Sequence, residues 1–470
     1  MPRLYQFNLT LPVLNLQTLC FACLGVLLVL VPMPFGSNRL WASNLIGIWS
    51  ALLLVGVALL RARQSSFWPT GAPTRSLRIG LTLYLLVIGW GWLQTQSWVP
   101  SGLHHTVWQY VSTDSGSVSL SPERFAECAV RMLSYLAVFL TAFFVGRVGP
   151  TAKLLIKLLA IAGGIYALYG LWIQATGSAS ILIWPKTAYR EFVTSTFINK
   201  NSYATYAGLG LLCCLALLWN SLKHAPKQAT KDASLATLRL QRFLRRDSFY
   251  VVLALMLVGA LILTSSRAGI FSSMAGCLIF IILLAINRRW RWTQWLPALA
   301  ITLFVLSLLI LFSGNFLLER LDQDQLDAAS AIRLNLYTST LAAIADRPWL
   351  GHGLGSFTDA IRLYAEIPTQ RWFDHAHNDY LELALELGIP ASLMLGCVLL
   401  IILAHCWRGA LKRNHLEICP ILALSATALV GLHGLFDFSL QIPAIAITYA
   451  ALLGLGMAKS WSTREKDFSG

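Results

Sequence analysis

The sequence predicts an all-α polytopic membrane protein with about 12 transmembrane helices and a long outer loop of short amphipathic helices. Of its 470 residues, 56% are hydrophobic and only 12% are charged. This composition is too apolar for a soluble protein of the same length. Apolar runs of about 17–25 residues, the length that a helix needs to cross a bilayer, recur along the chain.

Twelve apolar runs are candidates for membrane spans. They lie at residues 15–34, 43–60, 79–96, 126–147, 152–175, 202–220, 248–265, 268–287, 294–312, 387–406, 418–435 and 441–458. No internal repeat and no low-complexity tract divides the chain. We therefore expect residues 1–470 to form a single membrane domain.

The distribution of charge predicts the orientation of these spans. If both termini are cytoplasmic, 24 of the 36 Lys and Arg residues lie in cytoplasmic segments, whereas 16 of the 21 Asp and Glu residues lie outside. This is the positive-inside asymmetry of multi-pass membrane proteins. It also accounts for the net charge of +15 without a nucleic-acid partner.

The longest outer loop, residues 313–378 and hereafter the lid loop, is predicted to contain two short amphipathic helices that lie on the membrane face. Apolar residues recur at near-helical spacing before Pro348 and again before Pro368. They are Ile332, Leu336, Leu341 and Ile344 in the first part and Phe357, Ile361, Tyr364 and Ile367 in the second. The glycines at 351, 353 and 355 indicate a turn between the two parts.

The end of the lid loop carries the strongest candidates for chemistry, His375 and His377. Ionisable groups at a membrane border are costly to bury, so they are usually functional. Asn378 or Asp379 can cap a helix, which places His377 at a helix N-terminus. There the helix dipole disfavours the imidazolium, so the neutral ring can act as a general base. His375 is a second candidate for the same role.

Two alternatives remain for these histidines. One is a surface pair without function in a polar loop. The other is a metal site formed with Asp374 or Asp379, although the spacing fits no strong zinc signature. We expect no metal and no cofactor.

Basic residues on the outer side are candidates for binding an anion, because the charge asymmetry disfavours them there. Arg267 lies between two almost adjacent spans, Arg190 precedes another span, and Lys200 can add a point charge. A guanidinium offers a fixed fork of donors that matches phosphate oxygens. An ion pair with outer acids and snorkelling to lipid headgroups are the alternatives for the arginines. With a neutral histidine nearby, the site suits a lipid diphosphate that carries a sugar.

Four motifs resemble the bacterial O-antigen ligase and O-antigen polymerase superfamily. They are HAHNDYLELALELG at 375–388, DRPWLGHGLGSF at 346–357, FINKN at 197–201 and SSRAG at 265–269. The resemblance covers residues 190–390 in motif and the whole chain in topology. One position departs from the family pattern, since Ala391 stands where a glycine is common.

The resemblance implies a metal-independent, inverting glycosyltransferase in the bacterial inner membrane with a periplasmic active site. The donor would be a glycan linked to undecaprenyl diphosphate, and membrane lipids would surround the protein. The acceptor would be lipid A core for a ligase or a second lipid-linked glycan for a polymerase. A polysaccharide transporter or flippase is the competing class, but intramembrane charges are scarce. The implied base is His377, and the implied diphosphate contacts are Arg190 and Arg267. Supporting roles fall to Asn199, Asn201, Asn378 and Tyr380.

Overall fold

The computed structural model is predominantly helical. It describes residues 16–63, 72–111, 116–147, 150–223, 247–288, 323–365, 373–412 and 418–461, with three single residues between 234 and 241. The α-helices of these segments are α1 Leu16–Leu30, α2 Leu40–Arg63, α3 Ala72–Leu93, α4 Phe125–Gly146, α5 Thr151–Thr176, α6 Lys200–Lys223, α7 Ser248–Leu263, α8 Arg267–Arg288, α9 Gln323–Asp346, α10 Phe357–Tyr364, α11 Asp379–Leu387, α12 Ile389–Lys412, α13 Ile418–His433 and α14 Pro443–Lys459.

Eleven of the twelve predicted spans coincide with one of these helices. The twelfth, residues 294–312, lies outside the described residues. Among the described helices, seven are long and apolar enough to cross a membrane, and α1, α7, α13 and α14 are shorter apolar helices. The chain is thus a multi-pass membrane protein, while the number of twelve spans stays a prediction.

A two-stranded antiparallel hairpin is the only sheet within the described segments. Its strands are β1 Ser180–Ile181 and β2 Trp184–Pro185, and Ser180 pairs with Pro185. The hairpin lies in the loop between α5 and α6. It is a small departure from the predicted all-α fold, and it forms one wall of a cavity described below.

Helix α14 occupies the centre of the bundle, since all of its 17 residues are buried. It packs against α4, α13 and α12. Two glycines make this close approach possible, because a Cβ on Gly454 would lie 2.4 Å from the carbonyl oxygen of Phe139, and one on Gly456 would lie 2.4 Å from Ala423. Small residues at helix interfaces are the usual means of tight packing in membrane bundles.

The prediction of two short helices in the lid loop is wrong for the first of them. Helix α9 has 24 residues, whereas α10 has eight. The apolar spacing begins only at Ile332, but the preceding polar segment, residues 323–331, contains three Ala and two Gln, which are good helix formers. The amphipathic pattern is confirmed for Leu336, Ile344, Phe357, Ile361 and Tyr364, which join one apolar cluster with α11. It is wrong for Leu341, which is 51% exposed. The buried members of the cluster are Leu336, Ala343, Ile344, Phe357, Ala360, Ile361, Ala376 and Leu385. Ile367 and Pro368 lie outside the described residues.

Helix α11 begins where the sequence predicts. Asn378 caps its N-terminus, and it ends at Leu387, before Gly388. Gly388 has a φ of 77°, which glycine adopts without steric cost. The chain then continues directly into α12. This arrangement fixes the histidine motif at the junction of the lid loop and a membrane-spanning helix.

Candidate active site

Polar residues from four parts of the chain meet at one end of the helix bundle. The Asn201 side chain donates to the Asp437 carboxylate, which also bonds the ring of His377 at 3.1 Å. The Lys200 ammonium donates to the backbone carbonyl of Ser265 at 3.3 Å. The loops before α6, α8, α11 and α14 therefore lie together, as the predicted orientation of the spans requires.

His377 is held by both its backbone and its ring. Its φ of 51° lies in the left-handed region, where His is more common than most residues. Its carbonyl accepts a hydrogen bond of 2.8 Å from the Tyr337 hydroxyl of α9. The ring Nδ1 faces the Asp437 carboxylate, so a neutral imidazole donates there and presents an unprotonated Nε2. About a quarter of the side chain, 24%, is exposed. This ring is therefore placed to accept a proton from a molecule at the surface of the site.

Asp437 is a buried carboxylate that sequence reasoning missed. It lies in the short loop between α13 and α14, and it accepts hydrogen bonds from Asn201 and from the backbone N–H of Phe438. Burial acts to raise its pKa, but the hydrogen bond and charge of His377 more than offset this, so the pKa is lowered overall. The carboxylate thus stays charged at neutral pH and fixes the orientation of the imidazole.

His375 has a different environment from His377. Its Nδ1 lies 2.8 Å from a carboxylate oxygen of Glu382, whose other oxygen accepts from the backbone N–H of Ala376. Its ring also stacks on Phe438 with centroids 4.4 Å apart. Burial acts to lower its pKa, but the Glu382 carboxylate outweighs this and the pKa is raised. A ring with a raised pKa is protonated more often near neutral pH, so His375 is less available than His377 to accept a proton.

Asn378 and Tyr380 attach the histidine motif to α13. The Asn378 side-chain oxygen accepts from the backbone N–H groups of Tyr380 and Leu381, and its amide donates to the carbonyl of Leu435 at 3.1 Å. The Tyr380 hydroxyl donates to the carbonyl of Gly431 at 2.8 Å. Through these contacts, Asn378 and Tyr380 hold the histidine motif against the C-terminal end of α13.

Three cations, Lys200, Arg267 and Arg333, form what we call the cation cluster. The charges of Arg333 and Arg267 both act on Lys200, whose ammonium also lies 3.6 Å above the ring of Phe192. Across the described ranges, no carboxylate forms an ion pair with any of the three. Like charges held together without acidic partners favour an anionic ligand.

Close packing brings Arg267 to this cluster. Arg267 is the first residue of α8 and is exposed. The preceding turn is fixed by Ser266, whose hydroxyl accepts from the backbone N–H of Gly269. A Cβ on Gly269 would lie only 2.4 Å from that of Ala204 in α6. The absence of a side chain at Gly269 therefore lets the two helix N-termini approach each other.

Arg190 is exposed in the loop between α5 and α6. Its Nε donates to the carbonyl of Lys186 at 3.0 Å, and the Lys186 ammonium donates to the carbonyl of Phe192 at 2.6 Å. No contact in the described part of the chain joins Arg190 to the cation cluster. Arg190 nevertheless follows Tyr189, whose ring lies 5.8 Å from the Lys200 ammonium.

Asn199 and Asn201 stabilise the start of α6. The Asn199 side-chain oxygen accepts from the backbone N–H of Asn201 at 2.8 Å, as a helix-capping residue does. Asn201 is buried and directs its amide to Asp437. Of the predicted supporting residues, Asn201 thus contacts the His377–Asp437 pair directly, whereas Asn199 acts through the helix.

The sequence does carry a signal for Asp437 and Arg333, the two site residues that were not predicted from it. Arg333 lies in the lid loop, which is predicted to be on the outer side, so the charge asymmetry that singled out Arg267 applies to it equally. Asp437 is an acid in a short loop between two apolar runs, as costly to bury as the histidines. Only the fold, however, places them beside Lys200 and His377.

The metal alternative receives no geometric support from the described residues. No group of three or more His, Cys, Asp or Glu side chains there could hold an ion. His375 and His377 bond different carboxylates, and the Asp379 side chain accepts from the backbone N–H of Leu440 at 3.2 Å. The independence of metal stays a prediction.

These features define a multi-pass membrane protein with a His–Asp pair and a cation cluster at one end of its bundle. Residues 251–396 match the family model of the O-antigen ligases. The match confirms the resemblance to the O-antigen ligase superfamily and supports a ligase-like function at that level. It includes Arg267, Arg333 and both histidines, whereas Lys200, Asn201 and Asp437 lie outside it. No curated protein matches the chain.

Proposed function

We propose that the protein is an O-antigen ligase-like glycosyltransferase. It transfers a glycan from undecaprenyl diphosphate to an acceptor hydroxyl at the periplasmic face of the bacterial inner membrane. The observation that carries this proposal is the His377–Asp437 pair beside a cation cluster that has no carboxylate partner in the described segments. Such a site combines a proton acceptor with charges that suit a diphosphate.

In the proposed mechanism, His377 Nε2 takes the proton from the acceptor hydroxyl. The acceptor oxygen attacks the anomeric carbon from the face opposite the diphosphate, so the configuration inverts. The bond between the anomeric carbon and the diphosphate oxygen breaks, and the electron pair leaves with that oxygen. Lys200, Arg267 and Arg333 stabilise the developing negative charge. Asp437 stabilises the imidazolium that forms.

The preferred acceptor is lipid A core, which makes the protein a ligase. A polymerase would use the same donor and the same chemistry, with a second lipid-linked glycan as acceptor. A transporter is less consistent with the site, because the polar groups gather at one end of the bundle instead of lining a path through the membrane. Both termini are proposed to be cytoplasmic, in agreement with the positive-inside asymmetry.

Transfer by the purified protein is the direct test of this proposal. The protein in detergent is mixed with undecaprenyl-diphosphate-linked glycan and either lipid A core or an excess of the donor alone. We expect glycosylated lipid A core and released undecaprenyl diphosphate. Elongated lipid-linked glycan without transfer to lipid A core would identify a polymerase. No transfer in either mixture would exclude both enzymes, since a transporter produces no covalent product in detergent.

Replacing Arg267 or Arg333 with Lys should reduce transfer by about 10- to 100-fold, because a lysine keeps the charge but loses the planar fork that binds phosphate oxygens in pairs. The rate is measured at saturating acceptor over a range of donor concentrations. Arg124→Lys is the matched control, since Arg124 lies in another outer loop and faces Asp359 at 3.6 Å. Full activity of Arg267→Lys and Arg333→Lys would show that the two arginines contribute only their positive charge.

Chelation should leave transfer unchanged. The proposed mechanism places fixed cationic side chains where other transferases use a divalent ion, so EDTA has nothing to remove. The assay uses purified enzyme and purified lipid-linked donor, which excludes effects on donor synthesis. Loss of activity that zinc, magnesium or manganese restores would contradict the mechanism and revive the metal alternative.

A further inference from the structure

A cavity of about 320 Å³ lies next to the candidate active site, within the usual range of small-ligand sites of about 300–1,000 Å³. Its walls come from the turn after α1, from the β1–β2 hairpin and from the loop before α6. Six of the lining residues matter for the argument: Phe35, Arg39, Trp41, Trp184, Thr187 and Ile198. We call it the aromatic cavity.

The cavity combines aromatic rings with a cation, Arg39, that lies beside one of them. The rings of Phe35 and Trp184 are tilted against each other with centroids 5.0 Å apart, and the Arg39 guanidinium lies 5.7 Å from the centroid of Phe35. Within the described segments, Arg39 makes no ion pair with a carboxylate. Trp41 and Trp184 keep 50% and 37% of their surface exposed, so a ligand can reach both indoles.

The lining of the aromatic cavity is close along the chain to residues of the candidate active site. Thr187 immediately precedes the segment that carries Tyr189, the residue whose ring faces Lys200. Ile198 lies three residues before Asn201, which contacts the His377–Asp437 pair. The turn after α1 is packed firmly against this segment, since a Cβ on Gly36 would lie 2.7 Å from the ring of Phe197.

We infer that the aromatic cavity binds a sugar residue of the lipid-linked glycan while the diphosphate occupies the cation cluster. This inference rests on the proposed function and assigns a subsite to its donor. A pyranose ring has an apolar face of C–H groups that packs on aromatic rings, and a rim of hydroxyl groups that accept from a guanidinium. The cavity offers both kinds of surface. A polyprenyl chain would use only the apolar one and would leave Arg39 desolvated without a partner.

A glycan-binding assay tests this inference separately from the transfer reaction. The probe is the labelled glycan, released by mild acid from the protein's lipid-linked donor, and its affinity is measured in a His377→Asn background that cannot turn over. Trp184→Ala and Arg39→Gln should each weaken binding by roughly 3- to 10-fold, the loss expected for one ring or one charged contact. Trp184→Phe should restore most of the affinity. Inhibition of transfer by sugar-free undecaprenyl diphosphate should stay unchanged in both variants with His377 intact.

Trp98→Ala is the matched control, because Trp98 is an exposed indole of another outer loop, 66% accessible, and does not line the cavity. It should bind the glycan normally. Unchanged glycan affinity in Trp184→Ala and Arg39→Gln would overturn the inference, as would a selective loss of inhibition by undecaprenyl diphosphate, which would assign the cavity to the lipid. If the unmodified protein transfers glycan while these variants bind normally, only the subsite is wrong. If it transfers nothing, the proposed function fails.

Discussion

His377→Ala is expected to abolish glycan transfer, with a fall in kcat of about 10²–10⁴-fold, the usual contribution of a general base. The physical reason is that Nε2 of this ring is the proton acceptor that Asp437 orients. The pKa of His375 is raised by Glu382, so that ring is less available to accept a proton. The measurement is the single-turnover rate with purified lipid-linked donor and saturating acceptor. Expression and membrane insertion should remain normal.

A second substitution separates loss of the base from loss of local structure. His377 has a left-handed backbone, which an alanine adopts at a cost of about 1 kcal/mol. Asn tolerates this conformation and can still donate to Asp437, but it has no nitrogen that accepts a proton. His377→Asn should therefore keep the thermal stability of the native protein and be as inactive as His377→Ala.

His375→Ala should behave in the opposite manner. It removes the partner of a buried carboxylate, Glu382, so the melting temperature should fall. The rate of transfer by the protein that remains folded should be affected much less than in His377→Ala. Near-normal activity of His377→Asn together with an inactive but stable His375→Ala would reverse the roles of the two rings.

The sequence predicts the helices of this protein well because their signal is local. A run of apolar residues long enough to cross a bilayer is visible without knowledge of any contact, and eleven runs coincide with helices of the structure. The first lid helix was underestimated because its N-terminal turns are polar. Their helical propensity is a weaker signal than apolar spacing, so the prediction began only at Ile332.

The candidate site is less predictable because its contacts join distant parts of the chain. The cap by Asn378 lies within its own motif and follows from the sequence alone. The contact of Asp437 with His377 spans 60 residues, and that with Asn201 spans 236. Each side chain could be suspected from its cost at a membrane border, but its partner depends on how α6, α11 and α13 pack.

The pKa values of Asp437 and Asp379 are shifted in opposite directions, which the sequence alone does not predict. Both acids are buried near the histidine motif, and burial alone raises the pKa of each. For Asp437 the bonds to His377 and other donors reverse this effect, so the carboxylate is charged at neutral pH. For Asp379 burial prevails, so its pKa is raised well above the usual range. One oxygen of Asp379 has no partner among the described residues.

Asp437→Asn is therefore expected to reduce kcat by about 10²–10⁴-fold, comparable to the loss of an orienting carboxylate in other His-dependent enzymes. If the new amide oxygen faces His377, the imidazolium that forms during transfer lacks its anion. If the amide nitrogen faces it, the ring adopts the tautomer whose Nε2 already carries a proton. Both orientations impair the base. KM for the donor should change little, because no hydrogen bond or ion pair in the described segments joins Asp437 to the cation cluster.

Asp379→Asn is the matched control for this substitution. Asp379→Asn keeps the size of the side chain and an acceptor for the backbone N–H of Leu440. Asp379 bonds neither histidine in the described segments, so this substitution should preserve transfer. A purely structural role of Asp437 would lower the melting temperature without altering the pH dependence of the folded enzyme. The proposed role predicts that the acid limb of the pH–rate profile moves to lower pH, because the imidazolium loses its stabilising anion. Equal activity of the two variants, or an unchanged pH profile in Asp437→Asn, would show that the buried carboxylate supports the fold and not the proton transfer.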